Sequence, residues 1–324
     1  MGATEPVGAG GGASSPTIYI PNFNGRERLA GLLESLREQS VAPARVAVID
    51  NGSGDDSPAM VAERFPEVEL IALEENVGFG PALNRAIATV PGDPIVLLNS
   101  DVVCEPRFLE ALLERSAGSR AAMIAAVLVS EQDPGRIDSA GVIADRTLMG
   151  FDYLHGEPRE RAAAAAAPLG PTGGAALYSR AAFESVGGFD GRIFLYYEDL
   201  DLALRLRFAG ASCELAPDAI AVHAYSQSLG AASAAKYRRT GWSRGYMLRR
   251  YRVLASPGGA ARALAAEGAI CAGQALRDRT LSGLRGRLAG WHDGRGLAPR
   301  QATVEALSDL RLRQALALRR RRRG

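Results

Sequence analysis

The sequence predicts an α/β fold: a mostly parallel sheet flanked by helices, followed by a basic helical extension. Three observations predict it. From Thr17 onward, short β-rich apolar runs alternate with segments of helical periodicity, the pattern of βαβ units whose sheet is covered on both faces. Asn, Asp and Gly gather where those runs end. The charge divides along the chain: residues 236–324 hold 21 basic and 5 acidic residues, a net +16, while residues 1–235 hold 17 and 31, a net −14. The overall +2 describes neither part.

Taken in order, residues 1–16 form a Gly/Ala-rich stretch expected to be a disordered tail. TIYIP is a strand stopped by Pro21, and NFNG is a turn. Residues 26–39 place Leu29, Leu32, Leu33 and Leu36 on one helical face. ARVAVID is a buried strand ended by NGSGDDSP; Pro58 opens a short helix, VELIAL is a third strand, and ENVGFG a glycine-containing loop. Pro81 sits in the first turn of the helix PALNRAIATV, and PIVLLNSD is a fourth strand. Residues 130–171 are less regular, carry six consecutive alanines, and are expected to form a mobile loop over the site. GPTGGAA is a turn, FLYYEDLDLALRLRFAG ends in a helix, and CELAPDAIAVH is a strand closing at His223.

Composition excludes several classes. At 47% hydrophobic and 23% charged, the chain is globular. Its longest apolar runs fall far short of the ~20 residues that span a bilayer. The N-terminal stretch lacks a hydrophobic signal core, and Cys104, Cys213 and Cys271 are too scattered for a disulfide or metal pattern. A cytoplasmic protein with reduced thiols is expected.

In parallel sheets, ligands bind beyond the carboxyl ends of the strands. Asn22 and Asn24 follow the first strand, Asp50 and Asn51 the second, Asn76 the third, Asn99 and Asp101 the fourth. Any one of these could be a plain turn former, but four such ends converge on one edge. Asp101 has the chemistry to hold a divalent cation against phosphate oxygens. His223, one of three histidines, alone reads as readily as a structural residue. In Glu198-Asp199-Leu200-Asp201, helix-dipole compensation and an Asp201–Arg205 pair account for part of the charge. They leave unexplained the two adjacent carboxylates after IFLYY, where a general base would sit near an acceptor hydroxyl. Gly173 and Gly174 either admit a substrate close to the backbone or make a tight turn. Neither GPTGGAA nor the GFG at Gly78 has the spacing of a nucleotide fingerprint.

These segments in order, IPNFNG, LAGLLESLREQS, VAVIDNGSGDDS, ENVGFGPALNRAI, VLLNSDV, GPTGGAALYSRAAFESVGGFD, FLYYEDLDLALRLRFAG and AVHAYSQS, resemble the family 2 glycosyltransferases, and within them the rhamnosyltransferase-like bacterial branch. The resemblance spans about residues 17–230. It implies a GT-A fold, a nucleotide-binding α/β half joined to an acceptor-binding half, with residues 231–324 as a separate extension. It also implies transfer of a sugar from a nucleoside diphosphate donor with inversion. By the same resemblance, Asp50 would meet the donor base, with Pro21, Asn22 and Asn24 lining that pocket. Asn76, Gly78 and Asn84 would shape the nucleotide-sugar pocket. Asp101 would be the metal-binding aspartate, with Asn99 standing where many relatives have a first Asp. His223 would complete the coordination of Mg²⁺ or Mn²⁺. Asp199 would be the base, with Glu198 and the turn of Gly173, Gly174 and Ala175 toward the acceptor. The branch suggests dTDP-L-rhamnose as donor and a saccharide or polyprenyl-linked acceptor in cell-envelope or polysaccharide biosynthesis.

Two other functions compete. A sugar nucleotidyltransferase would carry a Gly-rich basic loop after the first strand, which NFNGRERLAG matches poorly; a non-catalytic scaffold would not need Asp101, Asp199 and His223 together. In the basic part, AKYRRTGWSRGYMLRRYRV and the end LALRRRRRG suit an interfacial helix on an anionic membrane. A solvated extension is the plainer alternative. No nucleic-acid motif accompanies the charge, so no nucleic-acid partner is expected. The expected location is the cytoplasm, peripheral at the inner membrane face.

Overall fold

In the computed structural model, the described residues are 16–224, 233–302, 307, 308 and 310. The expected N-terminal tail, the run after Ala224 and the terminal arginines lie outside them, Pro16 excepted. The first half alternates as expected: β1 (Thr17–Asn22), α1 (Arg26–Arg37), β2 (Arg45–Asp50), α2 (Ser57–Arg64), β3 (Glu69–Ala72), α3 (Phe79–Thr89) and β4 (Ile95–Leu98). Then come β5 (Val102–Cys104), α4 (Phe108–Ala117) and β6 (Met123–Ser130). Residues 130–171, expected to be a mobile loop, instead build β7 (Ile137–Ser139), β8 (Val142–Ala144), β9 (Gly150–Asp152) and a 3₁₀ turn (Arg159–Ala164). Buried Ile137, Val142, Ala144, Leu148 and Ala162 hold this segment to the core, so apolar anchoring overrides its irregular sequence. The chain continues through β10 (Ala175–Tyr178), α5 (Arg180–Ser185), α6 (Glu198–Phe208) and β11 (Cys213–His223).

Nine strands form one sheet in the order β3-β2-β1-β4-β10-β6-β11-β5, with β7 beside β6; β8 and β9 pair separately. The first four strands are parallel. β10 runs antiparallel between β4 and β6 and joins the parallel strands to the rest of the sheet. Alternate residues of β1 feed opposite faces: Ile18 and Ile20 pack under α1, α2 and α4, whereas Tyr19 packs with α3 and α6.

The basic region forms α7 (Ala234–Arg250), α8 (Pro257–Arg277) and α9 (Ser282–Asp293). The stretch expected to lie on a membrane is α7, and it is packed inside. Tyr237, Tyr246, Met247 and Leu248 are buried, with Tyr246 and Met247 in the same core cluster as the sheet. Arg244 is fully buried, donating to Glu267 at 2.7 Å and to the carbonyls of Leu148 and Thr147 at 2.6 and 2.9 Å. Arg287 closes on the same Glu267 at 2.6 Å, and Arg300 bridges Asp190 and Asp201. Part of the +16 is therefore neutralised internally. Among the described residues, no helix is long and apolar enough to cross a membrane.

Candidate active site

The parallel strands deliver their carboxyl ends to one edge. Asn22, at the end of β1, is buried and donates to Asp50 Oδ1 at 3.1 Å across the β1–β2 pair. The other Asp50 oxygen accepts from Ser53 N at 2.9 Å. Asn24, in the left-handed region, accepts from Gly54 N at 2.7 Å and donates its own N–H to Ser53. Pro21, half-buried, sits opposite Ile49. Asn22 Oδ1 is buried without a hydrogen-bond partner, leaving an unused acceptor at the end of β1.

Asn51 ties the neighbouring loop. Its Nδ2 donates to Asn76 Oδ1 and to Gly78 O, both at 3.1 Å, and its Oδ1 accepts from Val77 N at 2.9 Å. Gly78 has φ +97° and abuts Phe194, where a Cβ would lie 2.6 Å from the carbonyl oxygen; no other residue fits there. Asn84 exchanges two 2.9 Å bonds with the backbone of Phe189. It braces the wall of the pocket with both ends of its amide.

On the next strand end, Asn99 N donates to Gly174 O at 3.0 Å, and Asp101 Oδ1 is buried with no hydrogen-bond partner. His223 Nε2 stands 3.5 Å from that oxygen. The other ring nitrogen, Nδ1, bonds Asp138 Oδ2 at 2.7 Å. This leaves Nε2 facing Asp101, the arrangement in which a second carboxylate orients a metal-binding histidine. An orphaned carboxylate oxygen beside an oriented imidazole fits a divalent cation with oxygen and nitrogen ligands. No cluster of three or more such ligands occurs among the described residues, so phosphate oxygens and water would complete the shell.

Opposite, α6 presents Asp199 in its first turn. Asp199 Oδ2 accepts from Gly173 N at 3.1 Å and Oδ1 from Leu200 N at 2.7 Å. Gly173 and Gly174 thus connect Asp199 to Asn99, two residues from Asp101. Ala175, the third residue of the expected acceptor turn, is fully buried in β10 opposite Leu98; it anchors the turn in the core. Tyr196 and Tyr197, just before Glu198, both hold positive φ, 69° and 71°. Strained backbone of this kind persists only where surroundings over-determine it, and here α7 does so. Ser243 Oγ donates to Leu195 O at 3.0 Å. The Arg239 guanidinium lies 4.4 Å from the centre of the Phe194 ring, and that of Arg244 5.8 Å from that of Tyr197.

The sequence model described as Glycosyl transferase family 2 matches residues 17–187, more than half of the chain. The chain belongs to that family. Among its relatives, the N-acetylglucosaminyl-diphospho-decaprenol L-rhamnosyltransferase of Mycobacterium tuberculosis is 32% identical over 238 residues, 66% of this chain and 77% of the relative. The pre-mycofactocin glycosyltransferase of the same organism is 28% identical over 66% of this chain and 43% of its own length. This family 2 glycosyltransferase is thus rhamnosyltransferase-like. In architecture it resembles the mannosyltransferase PcManGT from Pyrobaculum calidifontis, solved with GDP-Man and Mn²⁺ (TM-score 0.52, 20% identity, 87% of each chain). It also resembles GalNAc-T7, solved with UDP, GalNAc and Mn²⁺ (TM-score 0.56, 13% identity, 75% of this chain and 52% of that one). The fold is GT-A.

The electrostatics of this glycosyltransferase site follow from its burial. Burial pushes Glu198 up to about 8, reinforced by the Asp199 charge beside it, and its Oε2 has no hydrogen-bond partner. Both effects favour the protonated form of Glu198 beside Asp199. Burial works against charge on His223, but Asp101 and Asp138 outweigh it and raise the ring to about 10, so a cation would have to displace the proton from Nε2. Asp138 is itself desolvated, yet the bonds from His155 and His223 hold it below the usual carboxylate range. Sequence reasoning missed Asp138, and placed Asn51 at a strand end without its role as the knot between loops. The Asn, Gly and Val cluster around Asn51 carried that signal; nothing in the three-residue strand β7 marked Asp138.

Proposed function

We propose that the chain is an inverting transferase that moves L-rhamnose from dTDP-L-rhamnose to a hydroxyl of a saccharide carried on a polyprenyl diphosphate. The single observation that carries the mechanism is Asp199 held against Gly173 N, on the turn whose next residue bonds Asn99. The relative whose printed name is a decaprenyl-linked L-rhamnosyltransferase supports the choice of donor and acceptor.

The residues divide the work. Asp50 and Asn22 take the base, Asn22 Oδ1 offering its unpartnered acceptor. Asn76, Gly78 and Asn84 hold the loop and wall around the sugar diphosphate. Asp101 and His223 Nε2 would hold Mg²⁺ or Mn²⁺, which supplies charge compensation for the departing diphosphate when bound. Asp199 takes the proton of the acceptor hydroxyl as that oxygen attacks the anomeric carbon from the face opposite the diphosphate. The carbon–oxygen bond to the diphosphate breaks, and the new glycosidic bond forms with inverted configuration. Glu198, pushed toward its protonated form by burial and by the Asp199 charge, limits the negative charge on the pair.

Asp199→Asn should retain donor binding and lose transfer by about 10²-fold or more, the scale of general-base catalysis. Calorimetry with donor and a transfer assay over a panel of nucleoside diphosphate sugars measure both. Near-wild-type turnover in Asp199→Asn would remove the base assignment, and a preference for another sugar would remove rhamnose.

A further inference from the structure

Helix α9 buries its glycines and exposes its leucines. Its buried residues are Gly283, Gly286, Arg287 and Gly290. They lie backbone to backbone on α7, where a Cβ at Gly286 or Gly290 would overlap Arg238 O or Trp242 O. Leu281, Leu284 and Leu288 are 51%, 40% and 63% exposed. At about 100° per residue they share an arc of about 100° with Arg285 and His292. Leu276, just ahead at the end of α8, is 82% exposed. An isolated exposed leucine is ordinary. A leucine face turned outward from a helix whose packed face is glycine has no explanation in the packing of the described residues, because a soluble helix normally turns its apolar stripe inward.

The charge around this ridge identifies what it meets. Arg277, Arg279, Arg285 and Arg295 are all exposed, and among the described residues the ion pairs of the extension go to Arg244, Arg262, Arg287 and Arg300 instead. The two acidic residues of the segment are turned to α7: Asp278 accepts from Tyr237 and Asp293 from Trp242. The face is therefore apolar and rimmed by cations. We infer that it is the surface by which the protein sits on an anionic lipid bilayer, leucines in the upper acyl region and arginines at the phosphates. The inference rests, for its use, on the reading of a polyprenyl-linked acceptor, a substrate that would itself be held at a membrane. It moves the contact from α7, which is packed inside, to the outer side of α9.

The test is flotation of the full chain with vesicles of phosphatidylcholine alone or mixed with phosphatidylglycerol, beside a transfer assay on a water-soluble acceptor. The wild type should float only with the anionic vesicles and be released by salt. Leu284→Glu with Leu288→Glu should weaken partition about tenfold or more, and each of Arg279→Gln and Arg285→Gln about fivefold, all with unchanged melting temperature and soluble-acceptor activity. Wild-type protein that ignores anionic vesicles overturns the inference. So does a Leu→Glu double variant that floats like wild type, or loss of binding only when residues 311–324 are removed. A concentration-dependent dimer abolished by the double variant, without lipid binding, assigns the face to a second copy. Loss of all transferase activity with lipid binding intact would sink the catalytic reading alone.

Discussion

The bond that His223 Nδ1 donates to Asp138 decides which nitrogen of that ring is left to face Asp101. Asp138→Asn keeps the shape and removes the charge. Divalent-ion affinity should fall about 10- to 100-fold, as for other carboxylates behind metal-binding histidines, measured by Mn²⁺ titration with nucleoside diphosphate present. Unchanged affinity would leave Asp138 a packing residue only. His223 stood out at the end of an apolar strand, and only the family resemblance pointed it toward a metal. Asp138 did not stand out, because it sits 85 residues away in the chain, on a strand too short to show alternation. Ala175 shows the reverse error: the resemblance placed a whole turn at the acceptor, while side-chain alternation sends that residue into the core.

At the level of elements, α6 depends on α7. The segment that carries Glu198 and Asp199 is strained, and α7 holds it through Ser243, Arg239 and Arg244. Glu267, the one acidic residue of α8, holds Arg244 and Arg287 together and thereby joins three helices. Those two guanidinium groups outweigh its burial and lower it from 4.5 to about 2. The folded value lies below the unfolded one, so this stabilisation is complete above about pH 4.5 and fades as pH falls toward about 2. Glu267→Gln leaves two buried cations short of a counter-charge and should cost about 3–5 kcal/mol near neutrality. The gap from wild type should shrink on acidification across that window in denaturant titrations; a gap independent of pH would mean that the pairing contributes nothing. Sequence periodicity gave the helices but not what covers them. An Arg- and aromatic-rich helix reads alike whether its arginines meet lipid phosphate or a single buried glutamate.

Across the whole molecule, the acidic and basic parts are less separable than their composition suggests. Tyr246, Met247 and Tyr251 belong to the cluster that contains Tyr19 and Leu83, and Asp201 accepts from Tyr251 and Arg300. A chain ended at residue 230, the boundary that the resemblance suggests, should fail to show a cooperative thermal transition by circular dichroism. A melt close to that of the full chain would show that the core closes without the last helices. The parallel half and its strand-end loops were readable because each step is local: a strand, a turn, a helix. Where the late strands would pair was not, because their partners are chosen by topology. That topology also sets a schedule. β10 enters between β4 and β6, and β11 between β6 and β5, so both late strands go into gaps bounded by segments made earlier. At ribosomal speed, the apolar edge of β4 waits on the order of ten seconds for its neighbour to be synthesised. During that interval the nascent chain displays an unpaired strand, the kind of surface that recruits a wrong partner.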